Sequence, residues 1–237
     1  MVKVVAHRGF SGRYPENTAR ALTEALRLGV EMIEFDLHLS ADDELIVIHD
    51  STVDRTANGA GDVARLTLAE IKALDAGAWF GAEFAGERFL TAREALALLA
   101  ETGVELNIHV KAYAHDRERV IDLTLAEMTR FGVLARAFIA SDEASIALAK
   151  HRHPAVRTCN LSTHPRDDYI ARSLAVGCRI LQPGHQQVDA AFVSDAHRHG
   201  MTVNPFYADE PEEMRRLIAC GVDGILTNHP DRLLALR

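Results

Sequence analysis

Short apolar, β-branched runs alternate along the chain with longer stretches of helical period. Nine runs read as strands: VVAHRG (4–9), MIEFDL (32–37), LIVIHD (45–50), LNIHVK (106–111), AFIAS (137–141), RTCNL (157–161), RILQP (179–183), MTVNPF (201–206) and GILTN (224–228). The segments between them read as helices, as in ENTARALTEALRLG (16–29), where Asn17 or Thr18 can cap the start and Gly29 the end. This alternation is the mark of a parallel sheet wrapped by helices. The connection from Leu37 to Leu45, with Asp42, Asp43 and Glu44 at its centre, is too short for a parallel crossover, which needs about a dozen residues or more. It must be a hairpin. Folded about Asp42, it lays the third run antiparallel to the second and brings His49 beside Glu34 and Asp36. The remaining eight runs make an α/β fold, a (β/α)8 TIM barrel. A length of 237 residues, close to the roughly 250 of such a barrel, predicts one domain over residues 1–237.

Residues 51–89 break the period. STVDRTANGAGDV (51–63) is turn-rich and polar, and GAWFGAEFAGERF (77–89) is aromatic and interrupted by glycines. They predict a small insertion on the C-terminal face of the barrel, in the manner of a lid. Trp79 and Phe80 could cover an apolar part of a substrate, although such aromatics more often anchor a loop. Hydrophobic residues at 48% and charged residues at 25% provide for a large core and argue against a disordered or fibrous chain. A net charge of −8 argues against a nucleic-acid binder, which needs a basic face. Met1 to Phe10 lacks a basic start and a long apolar run, and no segment approaches the roughly 20 apolar residues that span a bilayer. The expectation is a cytoplasmic protein without stable membrane association. Cys159, Cys178 and Cys220 are odd in number and far apart, the pattern of reduced thiols without a chemical role.

Candidate chemistry gathers where strands end. His7 and Arg8, Glu34 and Asp36, His49 and Asp50, and His109 and Lys111 close four successive runs, and the C-terminal ends of barrel strands are where this fold places its active sites. Glu34 and Asp36, two apart, face the same way. Two buried carboxylates need either a divalent cation between them or neutralisation by Arg8 and Lys111; oxygen ligands favour Mg²⁺ or Ca²⁺. His38 shares their face and reads as a group at the surface or behind the site. His7 and His49 would put an imidazole on either side of the cation, one serving as base and the other as acid. Phosphodiester cleavage needs both roles, with Arg8 and Lys111 holding the phosphoryl oxygens. His115, His151, His153, His164, His197 and His199 lie in segments without such partners.

AHRGFSGRYPENT (6–18) and IEFDLHLSADDELIVIHDSTVDRTANGAG (33–61) strongly resemble the glycerophosphodiester phosphodiesterase family. GAWFGAEFAGERF, LNIHVK (106–111) and GVDGILTNHPD (221–231) resemble it moderately, and residues 135–200 least. The combination of His-Arg-Gly, Pro-Glu-Asn, Glu-x-Asp and His-Asp at these spacings is specific. The resemblance implies hydrolysis of small glycerophosphodiesters to glycerol 3-phosphate and an alcohol with a divalent cation. It makes His7 and His49 the catalytic pair, Glu34 and Asp36 metal ligands, and Arg8 and Lys111 phosphate contacts. Glu16 and Asn17 would brace the site. Where the family has Glu-x-Lys, with the Glu a third ligand, this chain has His109-Val110-Lys111. With His109 as ligand, the Mg²⁺ or Ca²⁺ of the family competes with Mn²⁺, Co²⁺ or Zn²⁺. Two alternatives follow: a phospholipase of the C or D kind acting on lipids, or a binding relic disabled at His109. Thr227 and Asn228 read as caps of the terminal helix ahead of contacts to substrate, and Gly224 as a glycine for packing or a tight turn. Oligomeric state is left unspecified.

Overall fold

The structure, a computed structural model, describes residues 1–161 and 166–237; His164 lies outside the described residues. Eight parallel strands form a nearly closed barrel: β1 (Lys3–His7), β2 (Met32–Leu39), β4 (Glu105–Val110), β5 (Ala137–Ser141), β6 (Arg157–Asn160), β7 (Ile180–Leu181), β8 (Thr202–Val203) and β9 (Gly224–Thr227). The ninth, β3 (Leu45–Val47), lies off this path and pairs antiparallel with β2, with Leu37 opposite Val47 and Leu39 opposite Leu45, while Ile46 on its other edge bridges to Thr91. That is the hairpin expected from the short connection. Its turn relies on Asp43 at φ 63° and on the Ser40 hydroxyl, which donates to Asp42 Oδ1 at 2.7 Å.

β9 pairs with β1, placing Ala6 beside Thr227. Between β8 and β9 there is no ladder, only bonds such as Asp223 N–H to Val203 O and Leu226 N–H to Pro205 O, each 3.0 Å. β7 and β8 are cut to two residues because Pro183 and Pro205, which lack an N–H, lie just beyond them. Pairing resumes past both prolines, where the Phe206 N–H donates to Pro183 O at 3.0 Å.

Alternation along each strand sorts the core into two shells. Val5, Met32, Phe138, Ala140, Cys159, Ile180 and Leu226 plug the barrel interior. Val4, Ile33, Phe35, Leu106, Ile108 and Ile139 join the larger cluster that the helices pack against. Polar residues then occupy the interior positions above the plug, at the C-terminal ends of the strands. Helix α1 (Ala19–Leu28) is capped by Thr18, whose hydroxyl accepts from Ala21 N–H, and ends at Gly29 in the left-handed conformation. Asn17 is thereby free for another task. At Gly224 a Cβ would lie 2.8 Å from Asn204 Oδ1, so close packing accounts for that glycine. The three cysteines are free thiols.

The insertion has a small core of its own. Val53, Val63, Ile71, Ala76 and Phe89 pack with Ile46 and Ile48 of the hairpin strand, and helix α2 (Leu68–Ala73) starts with a capping box between Thr67 and Glu70. Trp79, Phe80 and Phe84 pack edge-on in sequence and reach Tyr14. These rings anchor the insertion and do not roof the site: none of residues 51–89 lines the main pocket. The expectation of a lid is corrected to that of a lateral brace. Among the described residues, no helix is long and apolar enough to cross a membrane.

Candidate active site

The first strand leaves the barrel through a strained turn. Arg8 at φ 57° and Gly9 at φ 80° are both left-handed, and a Cβ on Gly9 would lie 2.6 Å from the Ala21 carbonyl carbon of α1. Asn17, left-handed at φ 59°, donates its N–H to Arg8 O at 3.0 Å and its Nδ2 to Asp36 Oδ2 at 3.1 Å. Strain of this kind persists where surrounding contacts over-determine it, commonly at functional sites. Here it aims the Arg8 N–H at Glu34 Oε2, 2.9 Å away. The Arg8 guanidinium is held by Glu16 at 2.8 Å and stands 3.5 Å from Asp36.

Glu34, Asp36 and His109 offer ligand atoms that all lie within 4.8 Å of one another. The register makes this so, since β2 and β4 pair with Asp36 beside His109 and Glu34 beside Asn107. Burial first, and then the neighbouring Asp36 charge, push the Glu34 carboxyl well above the usual range. Burial would raise Asp36 too, but His109, Lys111 and Arg8 hold it well below. Asp36 Oδ1 is buried without a well-aligned hydrogen-bond donor, although His109 Nδ1 lies 2.9 Å and Lys111 Nζ 3.4 Å away. An orphaned carboxylate oxygen, a second carboxyl that resists ionising alone and an adjacent imidazole are a donor set that fits a divalent cation. Burial also lowers the affinity of His109 for a proton, which favours the neutral, ligating form.

The two candidate catalytic histidines face this cluster with different supports. His7 Nδ1 lies 2.8 Å from Asn228 Oδ1, and its Nε2 is 4.0 Å from Glu34. Burial, followed by the Arg8 charge, lowers its pKa to about 4. His49 Nδ1 lies 2.6 Å from Asp50 Oδ1. Asp50 is held ionised, far below the usual carboxylate range, chiefly by Arg55. Arg55 donates from Nε to Asp50 at 2.7 Å and from Nη1 and Nη2 to Glu16 at 2.8 Å each. It thus joins the His49 side of the site to the Arg8 side. His38 is buried behind the site, its Nε2 3.0 Å from the His49 carbonyl.

His7, Arg8, Glu34, His49 and His109 line one cavity of about 330 Å³, a volume suited to a small ligand. Asp36 sits beneath it, and Lys111 stands against Asp36 instead of lining the wall. The cavity's other walls include Asn107, Gln182, Phe206 and Tyr207, and Tyr207 stacks on His7 with centroids 5.3 Å apart. Sequence reasoning passed over these aromatics, Arg55 and Asp209, and read Asn228 as a helix cap. Neither Thr227 nor Asn228 caps the last helix; both bond to Asp209. The signal for Asn228 was barrel closure, which pairs β9 with β1 and so puts the residue after Thr227 beside His7. His197 pairs with Asp223, and His115, His151, His153 and His199 are absent from the cavity wall.

A sequence model of the glycerophosphoryl diester phosphodiesterase family matches residues 7–232. A glycerophosphodiester phosphodiesterase of Caldanaerobacter subterraneus subsp. tengcongensis is 35% identical, over 98% of this chain and 96% of its own. One from Bacillus altitudinis is 31% identical, over 100% and 98% respectively. An Oleispira antarctica phosphodiesterase, solved in complex with the product sn-glycerol-3-phosphate, superposes with a TM-score of 0.93 at 28% identity, over 99% of this chain and 96% of that one. With a match that begins at His7, in the wall of the cavity, and runs beyond β9, the chain belongs to the glycerophosphoryl diester phosphodiesterase family and is a phosphoric diester hydrolase.

Proposed function

We propose that the protein hydrolyses small glycerophosphodiesters to sn-glycerol 3-phosphate and an alcohol, with a divalent cation and two histidines in opposite proton-transfer roles. The observation that carries this reading is the convergence of His7 and His49 on one cavity, each with Nδ1 engaged, around Glu34, Asp36 and His109. Glu34, Asp36 and His109 would hold the cation, which when bound polarises the phosphoryl oxygens and offsets their charge. His7, kept neutral by burial, accepts the proton of the attacking hydroxyl at Nε2. His49 has the ionised Asp50 as counter-charge and delivers a proton from Nε2 to the departing alcohol oxygen as the P–O bond breaks. Arg8, braced by Glu16, orients the phosphoryl group; Lys111, beside Asp36, adds positive charge to the same corner. The product bound by the Oleispira antarctica relative supports glycerol 3-phosphate as the half that the site recognises. Three free thiols favour a reducing compartment, and we place the activity in the cytoplasm.

The test is release of glycerol 3-phosphate from glycerophosphocholine by metal-stripped protein, with Mg²⁺, Ca²⁺, Mn²⁺, Co²⁺ and Zn²⁺ restored one at a time. Activity should return with a cation and fall about 10²- to 10⁴-fold in His7→Ala and in His49→Ala. No product with any cation, or full activity in either variant, overturns the reading.

A further inference from the structure

Behind His7 lies a chain of polar groups in which backbone N–H donors and one carboxylate set the direction of the hydrogen bonds. The His229 N–H donates to Thr227 Oγ1 at 3.0 Å, so the Thr227 hydroxyl proton goes to Asp209 Oδ1, 2.9 Å away. The Asn228 N–H also donates to Asp209 Oδ1, at 2.8 Å, and Asn228 Nδ2 lies 2.7 Å from Asp209 Oδ2. Three donors therefore converge on one carboxylate, which only accepts. The Asn228 amide has its NH₂ turned to Asp209 and its oxygen turned the other way, to His7 Nδ1 at 2.8 Å. An amide oxygen cannot donate, so the proton of neutral His7 resides on Nδ1. Nε2, 4.0 Å from the nearest carboxylate oxygen, is left as a lone pair facing the cavity. The Tyr207 ring, stacked at 17° to the imidazole, fixes its plane.

We propose that Asp209 is a positioning residue: acting through the Asn228 amide, it sets His7 in the Nδ1–H tautomer and so reserves Nε2 to receive the proton of the attacking hydroxyl. The inference rests on the reading of His7 as the base. Asp209 does not line the cavity, and it acts on His7 through the orientation of one side-chain amide.

The network contains its own reversal. In Asp209→Asn, the oxygen of the new amide stays where Asn228 N–H and the Thr227 hydroxyl both donate, which leaves its NH₂ opposed to Asn228 Nδ2. Two donors cannot face each other across 2.7 Å. The Asn228 side chain turns over, its oxygen to residue 209 and its NH₂ to His7 Nδ1 and to Ser11 Oγ. In the wild type the Ser11 hydroxyl has two acceptors in reach, Asn228 Oδ1 at 2.8 Å and the His7 carbonyl at 2.7 Å; once the amide has turned, its proton goes to the His7 carbonyl and its oxygen accepts from the Asn228 NH₂. Every group in the turned network keeps a partner, so the fold is preserved, but His7 must now carry its proton on Nε2, where a base needs a lone pair.

The experiment is nitrogen NMR of protein labelled with ¹⁵N-histidine and loaded with Mg²⁺, the His7 signals being assigned by their loss in His7→Ala, alongside steady-state kinetics on glycerophosphocholine. The wild type should show a protonated Nδ1 and a bare Nε2. Asp209→Asn should show the reverse, with kcat lowered between about 10²- and 10⁴-fold and KM within about threefold. In an Asn228→Ala background, Asp209→Asn should cost almost nothing further, because the amide that transmits its effect is gone. Asp209→Asn with Nδ1 still protonated, or a full second loss in the Asn228→Ala background, overturns the proposal. Full turnover by His7→Ala would instead overturn the catalytic reading of His7, while the NMR signals still decide whether Asp209 sets its tautomer.

Discussion

Changing His109 to Glu tests the cation site most directly. With a cation bound, the donor set of Glu34, Asp36 and His109 would carry two negative charges, which Lys111 at 3.4 Å and Arg8 at 3.5 Å from Asp36 offset in part. The variant adds a third carboxylate facing the cavity. Two unit charges about 4 Å apart interact by ~4 kcal/mol at an effective dielectric constant of ~20, and about twice that for a dication. Much of this gain is returned, because the new carboxylate is desolvated and repels Asp36, whose Oδ1 stood 2.9 Å from the imidazole it replaces. A residual of about 2 kcal/mol corresponds to roughly 30-fold tighter Mg²⁺ binding. Zn²⁺, which gains less from exchanging imidazole for oxygen, should tighten far less. Calorimetric titration of metal-stripped wild type and His109→Glu with Mg²⁺, Mn²⁺ and Zn²⁺ reads both quantities. Unchanged or weaker Mg²⁺ binding in the variant would refute the placement of His109 at the ion. Turnover that appears only in the variant would refute the proposed activity of the wild-type chain and leave a phosphodiester site disabled at one ligand.

Two further outcomes follow from the same turn of chain. Burial lowers the pKa of His7 to about 4, below its unfolded value, so the unfolded chain binds a proton that the folded chain refuses; this contribution to stability is complete above about pH 6.5 and is lost as pH falls toward 4. An NMR titration of the metal-free protein should place His7 near 4, and a value near 6.5 would refute the burial argument. Gly9→Ala forces a Cβ to within 2.6 Å of the Ala21 carbonyl carbon at φ 80° and should cost about 2 kcal/mol or more. A urea midpoint equal to that of the wild type would show that the turn can relax, contrary to this packing.

The barrel was legible because its signals are local. Nine short β-branched runs separated by helical segments give eight barrel strands and, from a connection too short for a crossover, a hairpin folded about Asp42, where the structure turns through the left-handed Asp43. The acid, base and ligand candidates were legible for a related reason: Glu34, Asp36 and His109 occupy the inward phase of strands that are otherwise apolar, where an isolated charge is expensive. Asn228 was misread because a polar pair before His229-Pro230 has the local appearance of a helix cap. Its actual partner, His7, lies at the far end of the chain and is reached only through the β1–β9 ladder. Phe206 was read as the end of the run 201–206 and Tyr207 as lying beyond it, whereas the strand stops at Val203 and the chain past Pro205 turns both rings into the cavity wall. The lid expectation failed because Val53, Val63, Ile71 and Phe89 have no period of their own; they fit the lateral face of the hairpin presented by Ile46 and Ile48.

Recast as a brace, the insertion has a definite connection to the chemistry. Arg55 is its contribution to the polar network, bonding Asp50 on one side and Glu16 on the other. Asp50 supports His49, and Glu16 supports Arg8. The His49 side and the Arg8 side of the cavity rise from different elements, the hairpin strand and the turn after β1. One guanidinium outside the cavity ties them together. Its side chain is 43% exposed, and partly exposed ion pairs contribute little to folding. The consequence of the Arg55 contacts therefore lies in the spacing they set between His49 and Arg8, because the roles proposed for these two residues depend on placement to about 1 Å.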